Sequence, residues 1–146
     1  MTYLLETSIA VEVLRGHKRL ALRLRVLVAE GRVAVSACTA AELRYGARRR
    51  PDVEAELAHV ADFLAAYEML PFDDEAAEAY GELQADLHCR GLNLPTMDVQ
   101  IAAIARAHGL TVLSRDAHFS AMPGLQVVNW LAEGSSEDPT HPSFGV

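Results

Sequence analysis

Short apolar runs alternate with longer amphipathic ones along this chain, and that alternation narrows the fold more than any other feature. Tyr3-Leu4-Leu5, Val33-Ala34-Val35, Thr111-Val112-Leu113 and Gln126-Val127-Val128 read as strands. Glu68-Met69-Leu70-Pro71 reads as a short edge strand, where proline is tolerated. Helical periods lie between them. Thr7 or Ser8 is placed to cap a helix from about Ile9, and Gly16 to stop it; Leu20 to Ala29 is a second helix with an arginine face. Further helices are expected from Thr39, over Val53 to Tyr67, from Asp73 or Asp74 to about Arg90, and from a Thr96 cap to His108-Gly109. Strands that alternate with helices predict an α/β domain with a parallel sheet and right-handed crossovers. In such sheets function gathers beyond the carboxyl ends of the strands.

Acidic residues stand where those ends are expected. Glu6 follows the first strand and Asp116 follows Thr111-Val112-Leu113, while Glu42 and Asp98 each open an apolar helical run. Carboxylates brought together are costly unless a cation neutralises them, and hard oxygen ligands suit Mg²⁺ or Mn²⁺. Glu42 has a second reading. It lies three residues after Thr39, the spacing of a capping box, in which it would face its own backbone.

The 146 residues suit one domain, over 1–132, with a Gly-, Ser-, Pro- and Asp-rich flexible tail over 133–146. No apolar stretch approaches the roughly 20 residues of a membrane helix, and no signal-peptide order opens the chain, so a cytoplasmic protein without membrane association is expected. The two cysteines, Cys38 and Cys89, form no metal-binding pattern and read as reduced, buried or half-buried thiols. A net charge of −7 argues mildly against a conventional nucleic-acid binder. The basic residues are nonetheless clustered, at Arg15 to Arg25 and at Arg44, Arg48, Arg49 and Arg50. They form either a phosphate-holding rim around an acidic centre or solvated helix faces. Trp130 reads as packing, and His118 as a structural or solvated histidine outside the site.

Four segments in order resemble the motifs of the PIN domain, most closely the VapC toxins of bacterial toxin–antitoxin pairs. They are Tyr3-Leu4-Leu5-Glu6-Thr7-Ser8; Ser36 to Gly46, which contains Glu42; Pro95 to Ala103, which contains Asp98; and Leu113-Ser114-Arg115-Asp116-Ala117-His118-Phe119 with its trailing strand. The resemblance runs from Tyr3 to about Leu131. It implies a three-layer α/β/α fold around a mostly parallel five-stranded sheet. It also implies a Mg²⁺- or Mn²⁺-dependent ribonuclease, a homodimer, an RNA substrate and a VapB-like antitoxin that blocks the site. Carried over by position, Glu6, Glu42, Asp98 and Asp116 are the catalytic acids, of which Glu6, Asp98 and Asp116 hold metal. Ser8 and Ser114 match the supporting polar positions. Arg44, Arg48 and Arg49 are candidates for RNA contact.

The family's first acid is aspartate, and here it is Glu6. The extra methylene matters because Mg²⁺ demands near-ideal octahedral geometry at roughly 2.1 Å. Three readings stay open: a working ligand, a mark of lost activity that leaves a binding-only domain, or a substitution introduced to allow expression of a toxic protein. Two other acidic α/β classes fail on the residues. A phosphoacceptor receiver needs paired acids after the first strand and a late lysine, but Lys18 is the only lysine. A haloacid-dehalogenase-type phosphatase needs Asp-x-Asp, which is absent after the first strand.

Overall fold

Five parallel strands form one sheet in the order β3-β2-β1-β4-β5. They are β1 (Tyr3–Leu5), β2 (Val33–Ser36), β3 (Glu68–Leu70), β4 (Thr111–Leu113) and β5 (Val127–Val128). The computed structural model describes residues 1–134. The tail expected over 133–146 therefore lies outside the described residues, except for the first two, which end a short helix. The sheet is wholly parallel, and Glu68–Leu70 is an edge strand as its proline suggested.

Side chains alternate across the sheet and so divide the core in two. Leu4, Ala34 and Val112 face α5 (Asp74–Cys89) and α6 (Thr96–His108), against Leu83, Leu87, Ile101 and Ile104. Leu5, Val35 and Leu113 face the other way, onto α1 (Thr7–Leu14), α2 (Lys18–Ala29), α3 (Ala37–Arg48) and α4 (Val53–Leu64). The result is a three-layer α/β/α domain. Leu4 and Leu5 are both 0% exposed, and each such leucine contributes roughly 1.5–3 kcal/mol by leaving water. Trp130, at the start of α8 (Trp130–Gly134), seals one end of the second core. Its ring meets Tyr3 edge-on at 5.5 Å, and the Arg23 guanidinium lies 4.0 Å over it.

Three helix starts differ from expectation, two of them because a different side chain takes up the free amides. α1 begins at Thr7 rather than near Ile9, because Glu6 is its cap and accepts from the Ser8 N–H at 2.9 Å. α3 begins at Ala37, because the Ser36 hydroxyl accepts from the Thr39 N–H at 3.0 Å. Thr39 is thus a buried residue of the first turn, the capping box does not form, and Glu42 is released from it. Thr96 is the first residue of α6 rather than its cap; Pro95 holds the cap position without a side-chain hydrogen bond. α4 ends at Leu64, short of Tyr67. Asp73 does cap α5, accepting from the Ala76 N–H at 3.0 Å. α6 ends at Gly109 in the left-handed conformation (φ 65°), which glycine adopts without steric cost. Among the described residues no helix is long and apolar enough to cross a membrane.

In register, Leu5 pairs with both Val35 and Leu113, and the Glu6 N–H donates to the Leu113 carbonyl at 3.0 Å. The chain therefore leaves β1, β2 and β4 side by side at one edge, carrying Glu6, Ser36 and Ser114 there.

Candidate active site

Asp98 and Asp116 meet across that edge. Asp98 is the third residue of α6, where the positive end of the helix dipole favours an anion. Asp116 follows β4 and caps α7 (Ala117–Ser120), accepting from the His118 N–H at 2.9 Å. The same turn swings the His118 ring inward, so that Nδ1 lies 2.8 Å from Asp98 Oδ2 and 3.3 Å from Asp116 Oδ1. One ligand atom from each of the three lies within 4.8 Å of the others. Asp98 is only 8% exposed, and burial pushes its carboxyl above the ordinary carboxylate range; the His118 hydrogen bond opposes the rise and the Asp116 charge adds to it. Two carboxylates and an imidazole, crowded and short of positive charge, are a donor set that fits a small divalent cation. The nitrogen ligand suits Mn²⁺ better than Mg²⁺.

Glu6 lies beside this trio but outside the group that converges within 4.8 Å. Its Oε2 accepts from the Ser8 N–H at 2.9 Å, the Ser8 hydroxyl at 2.5 Å and the Ser114 hydroxyl at 2.7 Å. The two serines in turn accept backbone amides of the β4–α7 loop, Ser8 from Arg115 at 3.0 Å and Ser114 from Asp116 at 2.9 Å. Glu6 thus anchors the loop that carries Asp116. Burial raises the Glu6 pKa most, the Ser8 and Ser114 hydrogen bonds pull it down, and the Asp116 charge raises it further. Glu42 sits on the far side of the α1 N-terminus. It faces α1 rather than its own backbone, accepting from the Thr7 hydroxyl at 2.6 Å, and it too is outside the trio.

A family model described as PIN domain matches residues 3–125. The chain is a PIN-domain protein. It is 31% identical over 132 residues to Ribonuclease VapC2 of Haemophilus influenzae, covering 90% of this chain and 99% of that one. It is 28% identical over 131 residues to the tRNA(fMet)-specific endonuclease VapC of Shigella flexneri, covering 89% and 98%. The solved structure of VapBC2 from Rickettsia felis bound to a promoter DNA fragment matches with a TM-score of 0.83 at 30% identity, over 89% of this chain and 99% of that one. Among PIN domains it belongs with the VapC group.

The acid positions read from the sequence of this PIN domain all reach one sheet edge, but only Asp98 and Asp116 join the trio. His118 is the residue that sequence reading passed over. Its partner Asp98 lies 20 residues earlier, and the one local signal is the two-residue step from Asp116 that lets a capping aspartate turn the following ring. The basic rim is partly committed elsewhere. Arg15 and Arg115 both reach Glu12, at 3.5 and 3.3 Å, and His17 caps α2 by accepting from the Leu20 N–H at 3.3 Å. Arg44 and Arg48 are exposed along α3, and Arg49, just past its end, lies 5.6 Å over Tyr45. Cys38 is buried as expected, whereas Cys89 is exposed at the end of α5.

Proposed function

We propose that this PIN domain is a Mg²⁺- or Mn²⁺-dependent ribonuclease acting in the cytoplasm as the toxin of a toxin–antitoxin pair. The observation that carries the reading is the meeting of Asp98, Asp116 and His118 within 4.8 Å at the strand ends. Asp98 and Asp116 would hold the cation, with His118 as a third donor. A bound divalent cation supplies Lewis-acid polarisation of a phosphate and acidifies a water at neutral pH. Glu6, through Ser8 and Ser114, holds the Asp116 loop still, and its own charge adds to the local negative field. Glu42, fixed by Thr7, offers a carboxylate that can orient a water or accept its proton. Arg44, Arg48 and Arg49 supply positive charge for the RNA backbone along α3. The relatives' names support RNA as substrate, and the Shigella name makes a tRNA the first one to try. The Rickettsia VapBC2 structure supports a VapB-like antitoxin as partner. A homodimer follows from the family resemblance.

A second reading has its own observation. Glu6 spends one oxygen on three hydrogen bonds and stands outside the converging group, which favours a weakened domain that binds RNA or antitoxin only. Cleavage of a structured RNA mixture with Mn²⁺ or Mg²⁺ separates the two, comparing this chain, its Glu6→Asp form and an EDTA control. Cleavage by both forms, stopped by EDTA, is expected. Cleavage by the aspartate form alone would assign the chain to the weakened reading, and cleavage by neither folded form would leave a binding domain.

A further inference from the structure

Arg115 stands between Ser114 and Asp116 in the β4–α7 loop, and its side chain leaves the loop for α1. Its Nη1 lies 3.3 Å from Glu12 Oε1, while its backbone N–H donates to the Ser8 hydroxyl at 3.0 Å. Ser8 and Glu12 are four residues apart on α1, so they project from one face of that helix in successive turns. One residue of the loop thus grips the same helix face twice. A single amide bond sets the distance of the 115–116 peptide from α1 but lets it pivot. The second contact removes the pivot, and the Asp116 carboxylate is carried on the peptide so fixed. Orientation matters there, because ligand distances in a metal site hold to about 0.2 Å.

The Glu12 side chain is only 19% exposed, so water and salt screen the pair less than an ordinary surface one. The same Oε1 also meets Arg15 Nη1 at 3.5 Å. Arg15 is the residue that ends α1, so that contact ties the helix to itself and leaves the loop alone.

We infer that Arg115 and Glu12 are positioning residues, whose ion pair fixes the orientation of Asp116 toward Asp98 and His118. Neither belongs to the converging trio. The inference rests on the reading of that trio as a metal site.

Hydrogen exchange of the Arg115 and Asp116 amides, followed by NMR on the full chain in EDTA, reads the loop without metal or substrate. Arg115→Gln and Glu12→Gln are each expected to speed both amides about fivefold, the scale of one partly buried ion pair. The amides of Leu83 and Leu87 in α5, in the opposite layer, are expected to change by less than about twofold. Arg15→Gln removes an equal charge from the same carboxylate and is expected to leave the loop amides as they are. Arg115→Lys keeps a cation within reach of Glu12 and should restore most of the protection. Calorimetric titration with Mn²⁺ supplies a sign. Loss of a cation near the site would by charge alone tighten Mn²⁺ binding. Loss of positioning weakens it, so Arg115→Gln is expected to lower the affinity about fivefold, below the 10–100-fold of a partner bonded directly to a ligand. The double variant should cost no more than the larger single change, since both remove one contact. Loop amides unchanged in both Arg115→Gln and Glu12→Gln would overturn the inference. So would loop and α5 amides accelerating together, which marks general stability, or Mn²⁺ binding that tightens or holds in Arg115→Gln. A parent that binds no Mn²⁺ while its loop loosens in both variants would retain the fastening of the loop and overturn the metal-site reading of the trio.

Discussion

Glu6 and Asp98 are both acids buried at the same sheet edge, and burial raises the pKa of both. Their surroundings differ. Glu6 receives three hydrogen bonds from two serines and holds a loop in place. Asp98 has one imidazole partner and a like charge close by. A buried carboxylate surrounded by donors behaves as a structural part, whereas one facing another carboxylate is a site waiting for a cation. Charge and burial alone do not separate the two roles; the count of donors does.

Asp98→Asn and Asp116→Asn attack the unsatisfied side of that contrast and carry the largest expected effect. Each should lower metal-dependent RNA cleavage by about 100-fold or more, since even outer-shell changes cost 10–100-fold. Far-ultraviolet circular dichroism should show the fold retained. His118→Ala comes next, with Mn²⁺ affinity falling by on the order of 10-fold in calorimetric titration. Unchanged affinity would return His118 to the surface role that the sequence suggested.

Glu6→Ala attacks the satisfied side. It strands two hydroxyls and an amide, at roughly 1–3 kcal/mol for a buried unpaired group, and removes a helix cap worth about 1 kcal/mol. The relief of a desolvated charge offsets part of this, so a net loss of about 2 kcal/mol is expected, lowering Tm by roughly 4–8 °C. A smaller effect tests Asp98 without metal. A raised folded pKa means that the protonated acid contributes stability below the ordinary carboxylate range, and that this is lost as pH rises through the folded value. In EDTA, Asp98→Asn should therefore melt above the parent near about pH 8 and lose that advantage near about pH 4. Added Mn²⁺ at the higher pH should reverse the order by stabilising only the parent. Thr7→Val is the mildest, costing about 1 kcal/mol and less than tenfold in cleavage, because Glu42 is half-exposed and water can replace the lost hydroxyl.

The same distinction explains what the sequence made legible. Strand order and layers follow from where apolar runs stop, and the Leu4/Leu5 alternation assigns the two cores. The acids were legible as positions after strands or at helix starts. Their roles were not, because role depends on which donors arrive from elsewhere. Ser114 reaches Glu6 across 108 residues, and Thr7 reaches Glu42 across 35. Three caps went astray for a related reason. Glu6, Ser36 and Pro95 each stand one to three residues before the side chain that local pattern favoured; for Glu6 and Ser36 the backbone turn leaving a strand decides which is in reach, and Pro95 caps without a side-chain bond. His118 shows the limit most clearly, since nothing local to it announces Asp98.

The pairing of β1 with β4 has a further consequence for how the protein comes into being. Residues 3–5 wait for a partner strand at 111–113, synthesised more than a hundred residues later. Until then Glu6 has no Ser114, and Asp116 does not exist. The trio is therefore among the last features to form as the chain leaves the ribosome. A chain interrupted anywhere before β4 lacks the meeting of Asp98, Asp116 and His118 altogether.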